Sequence, residues 1–279
     1  SPTQATTPRS STVRAITTDM LHATTDFPDG TTRYTAGWRS VAASLSDLAA
    51  VGAAPTAAVA AYADTAFDAD ALADFVGGAQ AVCESVNAEY VGGDLDSHTE
   101  FTVATTAIGD VDGAVDRAGA TPGDRVVVTG AFGRSAAALR CFERDEVERA
   151  NDLFQFPPRI DAGRALAGSA TAMMDSSDGL ARSLHQLADA SDCGFAIDRD
   201  AVPVADALDE VANDAADRWE AAVHFGEDFE LVATVPASVL DDVRAATPVS
   251  VTEIGRAVDA VEGVTVGGEA LADRGYTHG

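Results

Sequence analysis

A large excess of acidic side chains is the feature that most limits how this chain can fold. Its 279 residues include 45 Asp and Glu against 18 basic residues, and the formal net charge is −27. Carboxylates repel one another and are costly to bury, so nearly all of them must lie at the surface. The hydrophobic fraction of 46% still supplies a large core. We therefore expect two folded domains with a surface adapted to concentrated salt, as in a halophilic organism.

The absence of lysine excludes several chemistries. All 18 basic residues are arginine, so the chain has no Walker-type phosphate lysine, no Schiff-base lysine and no lysine general base. Its acidity argues against a nucleic-acid partner, because a phosphate backbone needs a basic surface. No segment approaches the roughly 18 apolar residues of a membrane-spanning helix. Cys83, Cys141 and Cys193 are far apart and fit no disulfide framework or zinc site, so we expect a cytoplasmic protein.

The spacing of apolar residues predicts strands and helices in mixed order. Predicted strands are 13–18, 101–108, 125–129, 195–197, 229–235 and 249–254, and predicted helices are 37–52, 70–88, 135–142, 180–190 and 238–246. Residues 1–11 are expected to form a loop. Because strict β-α-β alternation is missing, the predicted class is α+β. The turn Thr121-Pro122-Gly123-Asp124 predicts a boundary between domains 1–122 and 123–279.

Five acidic residues do not fit a solvated surface. Asp19 follows an apolar strand and Asp47 lies within an otherwise apolar helix. Asp94 follows a strand and a glycine pair, and Asp175 and Asp178 flank serines after two methionines. Each position also has a purely structural interpretation. Asp47 could pair with an arginine, Asp94 could form a turn, and Asp178 could cap a helix.

Considered together, these carboxylates point to a cation site. Carboxylates that converge repel one another unless a cation lies between them. No histidine or thiolate accompanies them, so the expected ion is Mg²⁺, which binds a few carboxylates, water and substrate phosphate oxygens. Without lysine or a GxxxxGK[ST] segment, nucleotide phosphates must be bound by metal, backbone N–H groups and arginine. The residues therefore predict a magnesium site that serves a phosphorylated substrate.

Six motifs, in order along nearly the whole chain, resemble those of the thiamine-monophosphate kinase family. They are TTDML at 17–21, SDLAAVGAAP at 46–55, GGD at 92–94, RAGATPGD at 117–124, MDSSDGL at 174–180 and GEDFEL at 226–231. The wider superfamily includes aminoimidazole-ribonucleotide synthetase, selenophosphate synthetase and a hydrogenase-maturation protein. The SDLAA and DxSDGL segments favour the thiamine enzyme among them.

The resemblance implies transfer of phosphate from ATP to thiamine monophosphate, giving thiamine diphosphate, by Mg²⁺-assisted in-line phosphoryl transfer. It implies an amino-terminal α/β domain that forms a homodimer through its sheet, and a carboxy-terminal α+β domain. The implied ligands of several Mg²⁺ ions are Thr17, Thr18, Asp19, Asp47, Asp94, Asp175 and Asp178. The implied ATP contacts are Gly93, Asp94, Arg117 and Ser177. Glu227 and Tyr276 are the implied contacts to thiamine monophosphate.

The chain departs from the family pattern at two places. The family has a Gly-Asp-Asp-Ala-Ala segment upstream of the first motif, and this sequence begins too late to contain it, so we expect either a truncated start or an impaired copy. A substrate-contacting histidine in a His-Phe pair is replaced by Asp26 in Asp26-Phe27. We predict that the Asp26 carboxylate pairs with the cationic thiazolium or with the aminopyrimidine of the substrate. A surface acid in a loop is the structural alternative. Two alternatives stay open: a ribonucleotide-synthetase type of ATP-using enzyme, and a ligand-binding paralogue without activity.

Overall fold

The computed structural model describes residues 13–275. Its first sheet and the associated helices consist of β1 (Val13–His22), α1 (Ala23–Asp26), α2 (Arg33–Ala50), β2 (Ala54–Asp64), α3 (Ala69–Ser85), β3 (Glu89–Ser97) and β4 (Thr102–Val111). The second part consists of β5 (Arg125–Thr129), α4 (Arg134–Glu143), α5 (Val147–Phe154), α6 (Ile160–Ala167), β6 (Ala172–Asp175), α7 (Leu180–Ser191), β7 (Gly194–Ile197), α8 (Asp206–Asp209), α9 (Ala215–His224), β8 (Leu231–Val235), α10 (Leu240–Ala246), β9 (Val251–Val258), β10 (Val264–Val266) and β11 (Glu269–Ala270). The α+β class is confirmed. None of the helices within 13–275 combines the length and the hydropathy needed to cross a bilayer.

The first sheet has four strands in the order β1-β4-β2-β3. Strand β4 is antiparallel to both of its neighbours, and β3 is parallel to β2. Side chains alternate between the two faces of each strand. One face packs against α2 and α3, whereas the other exposes Ile16, Met20 and Val59. Residues 13–275 therefore cover the sheet on one side only.

The second sheet has seven strands in the order β11-β10-β7-β9-β5-β8-β6. Val126 and Val128 of β5 belong to the core beneath α4, α7 and α9. Val127, on the opposite face, belongs to a different core, which also contains residues of α2, β2 and β4. A continuous apolar core thus joins the two sheets. The division at residues 122 and 123 stays a prediction.

Helix α2 lies within this shared core and is buried on nearly all sides. It begins after Thr32, whose hydroxyl accepts a hydrogen bond of 3.1 Å from the Thr35 N–H and so caps the helix. It packs against β1 and β4 of the first sheet, and against β6 and α6 of the second part. A helix in this position can carry polar side chains to the strands of both sheets.

Several elements differ from those expected from the sequence. Strand β1 continues past Asp19 to His22, and Asp94 lies within β3, not in a turn after a strand. Strand β2 was not predicted, because six of its eleven residues are alanine, which has little preference for strands. Helices α5 and α9 also lie in segments for which no helix was predicted. The loop expected at 1–11 lies outside the described residues.

Candidate active site

Helix α2 is hydrogen-bonded to carboxylates or hydroxyls from both sheets. The Thr17 hydroxyl of β1 donates to the carboxylate of Asp47 on α2. The Ser44 hydroxyl of α2 donates a hydrogen bond of 2.7 Å to the carboxylate of Asp19 on β1. The Ser46 hydroxyl donates to Asp175, the last residue of β6, at 2.6 Å. Three predicted metal ligands, Asp19, Asp47 and Asp175, are thereby arranged around one helix.

These carboxylates destabilise one another's charged forms. Burial raises the pKa of Asp175 from 3.8 to about 7, and the nearby charge of Asp47 adds to the effect. The Ser46 hydrogen bond and the charge of Arg117 act in the opposite direction. The pKa of Asp19 is also raised, first by burial and then by the charges of Asp47 and Glu227, against the effect of its Ser44 hydrogen bond. A cation beside Asp47 would relieve repulsion at both neighbours.

The available donor atoms suit Mg²⁺. Asp19, Asp47, Asp175 and the Thr17 hydroxyl supply oxygen atoms alone, which are the ligands that Mg²⁺ prefers. Within residues 13–275, no three His, Cys, Asp or Glu side chains are close enough to form a metal site by themselves. Magnesium in phosphoryl-transfer sites commonly binds only one or two carboxylates, together with water and phosphate oxygens. The residues therefore fit a Mg²⁺ site that a phosphorylated ligand would complete.

Two interlocked loops border the carboxylates. The Glu227 N–H donates to the Ser177 carbonyl at 2.6 Å, and the Ser176 N–H donates to the Glu230 carbonyl at 2.8 Å. Gly226 has φ +85°, and a Cβ there would lie 2.6 Å from the Ser177 carbonyl oxygen. Only glycine allows this backbone approach. The predicted ATP contact Ser177 and the predicted substrate contact Glu227 thus occupy adjoining loops, and the half-buried Asp178 follows Ser177.

Arg117 lies in the loop that joins β4 to β5. Together with Thr17 and Asp47 it lines a cavity of about 780 Å³. Arg117 is exposed, and its charge lowers the pKa of Asp175. A guanidinium and the oxygen atoms of Thr17 and Asp47 around one cavity make a suitable environment for a polyphosphate and its counter-ion.

Gly93 and Asp94 are not brought to this cluster within one chain. Asp19 pairs with Thr105, Thr105 with Ala60, and Ala60 with Gly93, so these four residues form one row across the sheet. Three strand spacings separate Asp19 from Gly93, a distance of about 14 Å. Gly93 is required at its position, because a Cβ there would lie 1.7 Å from the Ala60 carbonyl oxygen.

Two further predicted site residues also lie apart from the cluster. The Thr18 hydroxyl points to the other face of the sheet from its neighbours on β1 and donates to the Thr105 carbonyl at 2.8 Å. Asp26 lies beyond β1 and accepts hydrogen bonds of 2.7 Å from the His22 N–H and the Thr25 hydroxyl. Its carboxylate therefore stabilises its own helical turn. Tyr276 lies outside the described residues.

The sequence interpretation missed the residues that orient the carboxylates. Ser44 and Ser46 hold Asp19 and Asp175. Arg39, about two turns before Ser46 on α2, pairs with Glu227. A signal was present, because arginine and serine are uncommon among apolar residues in the interior of a helix. The pattern could not show which partners these side chains meet.

Known proteins share this two-part architecture. The family model "AIR synthase related protein, N-terminal domain" matches residues 5–111, and the model "AIR synthase related protein, C-terminal domain" matches residues 121–267. The fold and both matches define a two-domain protein of the AIR synthase-related class.

Related proteins identify the family within this class to which the chain belongs. The thiamine-monophosphate kinase of Halobacterium salinarum is 64% identical over 95% of this chain and 91% of its own length. The crystal structure of thiamine-monophosphate kinase from Stenotrophomonas maltophilia has a TM-score of 0.86 at 31% identity, covering 94% of this chain and 88% of that one. A structure described as AaThiL complexed with AMPPCP and TMP has the same TM-score at 26% identity, covering 98% and 89%. The chain belongs to the thiamine-monophosphate kinase family.

Proposed function

We propose that this chain transfers the terminal phosphoryl group of ATP to thiamine monophosphate and so forms thiamine diphosphate. The observation that carries the proposal is the arrangement around α2, which bonds Asp19 of one sheet and Asp175 of the other through its serines and places the charge of Asp47 near both. Such mutually repelling carboxylates suit cation-dependent binding of two polyanions. The relatives named above support ATP and thiamine monophosphate as the two substrates.

The acceptor does not need a general base. A phosphate monoester has a second pKa near 6, so its attacking oxygen is ionised at neutral pH. Bound Mg²⁺ would neutralise phosphate charge and align the two groups. The chain's own contribution is positioning: Asp19, Asp47 and Asp175 would hold the ions, and Arg117 and Ser177 would bind the phosphates of ATP. We assign Glu227, Asp26 and Tyr276 to thiamine monophosphate.

We further propose that the active form is a homodimer formed through the four-stranded sheet. The uncovered face of this sheet exposes Ile16 by 71% and Met20 by 60%. A second copy of this face would remove both side chains from water. Its two edges, β1 and β3, carry Asp19 and Asp94 respectively. If β1 of one subunit lies beside β3 of its partner, Asp94 of the partner subunit completes the metal site, with Gly93 and Thr18 beside it.

A cytoplasmic location is part of the proposal. Cys83, Cys141 and Cys193 are all free and buried. Thiols that form no disulfide agree with a reducing compartment.

Direct turnover tests the function. The purified chain in molar KCl is incubated with ATP, thiamine monophosphate and Mg²⁺, and thiamine diphosphate is measured by chromatography. Product that depends on all three additions is expected. ATP hydrolysis without thiamine diphosphate would indicate a different acceptor, and the absence of both would favour a ligand-binding paralogue. Asp110→Asn serves as a control for removal of a carboxylate from the same sheet, because Asp110 lies on β4 away from the cluster.

Mixed dimers test the arrangement of the subunits. Asp19→Asn and Asp94→Asn chains should each be inactive, because an amide lacks the charge that Mg²⁺ requires. After the two are mixed under conditions of subunit exchange, one site in each heterodimer regains both carboxylates. Recovery of about a quarter of wild-type activity is expected from random pairing. No recovery, despite proven exchange of subunits, would mean that both residues must act within one chain.

A further inference from the structure

Arg39 is a cation almost completely removed from solvent inside α2. Its side chain is 1% exposed. The guanidinium lies 3.7 Å from the ring centroid of Phe154, and the rings of Phe156 and Phe229 lie within 5.7 Å of it. Such stacking fixes the plane of a guanidinium. The orientation of the Arg39 charge is therefore restricted before any ion pair is considered.

The hydrogen bonds of Arg39 reach two separate segments of the second domain. Its Nη1 donates to the Phe154 carbonyl at 2.9 Å, and its Nη2 donates to the Glu227 carboxylate at 2.6 Å. A longer bond of 3.2 Å joins Nη2 to the Glu227 carbonyl. Arg39 thus binds both the backbone and the side chain of Glu227.

Glu227 is held in a conformation that it would not readily adopt alone. Its φ of +63° lies in the left-handed region, which disfavours residues other than glycine. Its side chain is 18% exposed, and Arg39 contacts only its Oε2. Among residues 13–275, no side chain or N–H donates to Oε1, which leaves one carboxylate oxygen for a ligand. The charge of Glu227 also raises the pKa of Asp19, so this carboxylate lies beside the carboxylate cluster.

We propose that Arg39 is a positioning residue for thiamine monophosphate. It holds Glu227 in the left-handed conformation, so that Oε1 faces the thiamine end of the substrate while Oε2 stays paired. The inference rests on the proposed function, since it assigns a purpose to the contact between Glu227 and the substrate. Because Arg39 and Asp47 belong to the same helix, the substrate contact and the metal ligands share one rigid support.

A purely structural role is the alternative, in which the ion pair only joins the two domains. The same loop offers a matched control. Glu230 accepts a hydrogen bond of 2.7 Å from Arg159 and another of 2.6 Å from Thr129, so Arg159 holds this loop without contacting Glu227. Arg159→Met removes a largely buried ion pair from the loop and leaves the Glu227 clamp intact. Arg39→Met removes the clamp, and Arg39→Lys keeps the charge but loses the planar fork.

The experiment compares KM for thiamine monophosphate, KM for ATP and kcat in the wild type and these variants, together with calorimetric binding of thiamine monophosphate without ATP. Arg39→Met should raise the KM and the Kd for thiamine monophosphate by at least about tenfold, with KM for ATP within about twofold of wild type. The KM and the Kd of Arg39→Lys for thiamine monophosphate should lie between those of the wild type and those of Arg39→Met. Arg159→Met should lower the melting temperature without raising either constant for thiamine monophosphate.

Three results would overturn the inference. A folded Arg39→Met variant with unchanged affinity for thiamine monophosphate would refute it, as would an equal loss in Arg159→Met. If Arg39→Met does not fold, unchanged affinity in Arg39→Lys has the same consequence. The double variant with Arg39→Met and Glu227→Gln should bind thiamine monophosphate only slightly more weakly than Arg39→Met alone, because the two substitutions disrupt the same contact with the substrate. A wild type that makes no thiamine diphosphate would refute the proposed function as well, whereas an active wild type with unaffected variants refutes the inference alone.

Discussion

Replacing Asp175 with asparagine should stabilise the metal-free protein while removing its activity. Asp175 is buried at the end of β6, where it accepts a hydrogen bond from Ser46 and faces the charge of Asp47. Asparagine has the same shape, and its carbonyl oxygen can still accept the Ser46 hydrogen bond. The substitution removes only the charge. That charge is unfavourable without a cation beside it, and under the proposed function it would help to hold Mg²⁺.

The magnitude follows from the pKa of Asp175, which burial raises from 3.8 to about 7. Between these values the folded state retains a proton that the unfolded chain has released, so stability falls as the pH rises from about 4 to about 7. At about 1.4 kcal/mol for each pKa unit, the full loss above pH 7 is on the order of 4 kcal/mol. Asparagine does not ionise, so the variant does not lose this stability as the pH rises. At pH 8 the variant should therefore melt about 10 °C above the wild type.

Thermal melts in molar KCl with a chelator provide the assay. The difference between variant and wild type should narrow as the pH falls from about 8 to about 5.5. Mg²⁺ at about 100 times its Kd should then stabilise the wild type by about 2.7 kcal/mol and leave the variant unchanged. Asp110→Asn is the control, since Asp110 lies away from the cluster on β4 and its side chain is 42% exposed. A difference independent of pH, or an equal response to Mg²⁺, would refute the reasoning.

Three further results are expected. Dilution from molar KCl to below about 0.1 M should lower the melting temperature, because a Debye length beyond about 10 Å lets a net charge of −27 repel itself; equal melting temperatures in both buffers would contradict this. Arg117→Met should raise KM for ATP and leave KM for thiamine monophosphate unchanged, and the reverse pattern in steady-state kinetics would reassign Arg117. Asp26→Ala should raise KM for thiamine monophosphate about tenfold and leave KM for ATP unchanged. If Asp26→Ala changes neither constant and only lowers the melting temperature, Asp26 acts in the local structure, where it accepts hydrogen bonds from the His22 N–H and the Thr25 hydroxyl, and not on the substrate.

The sequence was informative where a charged residue had an unusual neighbourhood. A buried carboxylate is rare enough that its context alone distinguishes it. Asp47 in an apolar helix and Asp175 after two methionines were selected on this basis, and both lie among buried residues. Asp47 and Asp175 are more than a hundred positions apart in the sequence. This separation did not prevent their selection, because each differs from a surface acid in its own local neighbourhood. Their role as metal ligands stays a prediction.

The pairing of strands could not be predicted from the local sequence. Nothing in the segment 54–64 distinguishes an alanine-rich strand from a helix, and its strand conformation depends on β4 and β3 on either side. Without β2, the sequence cannot show that Asp19 and Asp94 lie on opposite edges of the sheet. The hydrogen-bond partners of the polar side chains on α2 could not be predicted from the sequence either. The serines that flank the Asp47 motif could have faced many groups, and only the packing of α2 shows which carboxylates they bind.

The position of α2 explains why the candidate site belongs to neither half of the chain alone. Asp19 comes from the first sheet and Asp175 from the second, and each is held by a serine of the helix that lies between the sheets. The apolar core around α2 contains Leu45 and Leu48 together with residues of both sheets. A small rotation of α2 would therefore displace the carboxylates of both sheets together, as well as the Arg39 clamp on Glu227. The geometry needed to align two phosphorylated substrates thus depends on the same packing that joins the two domains.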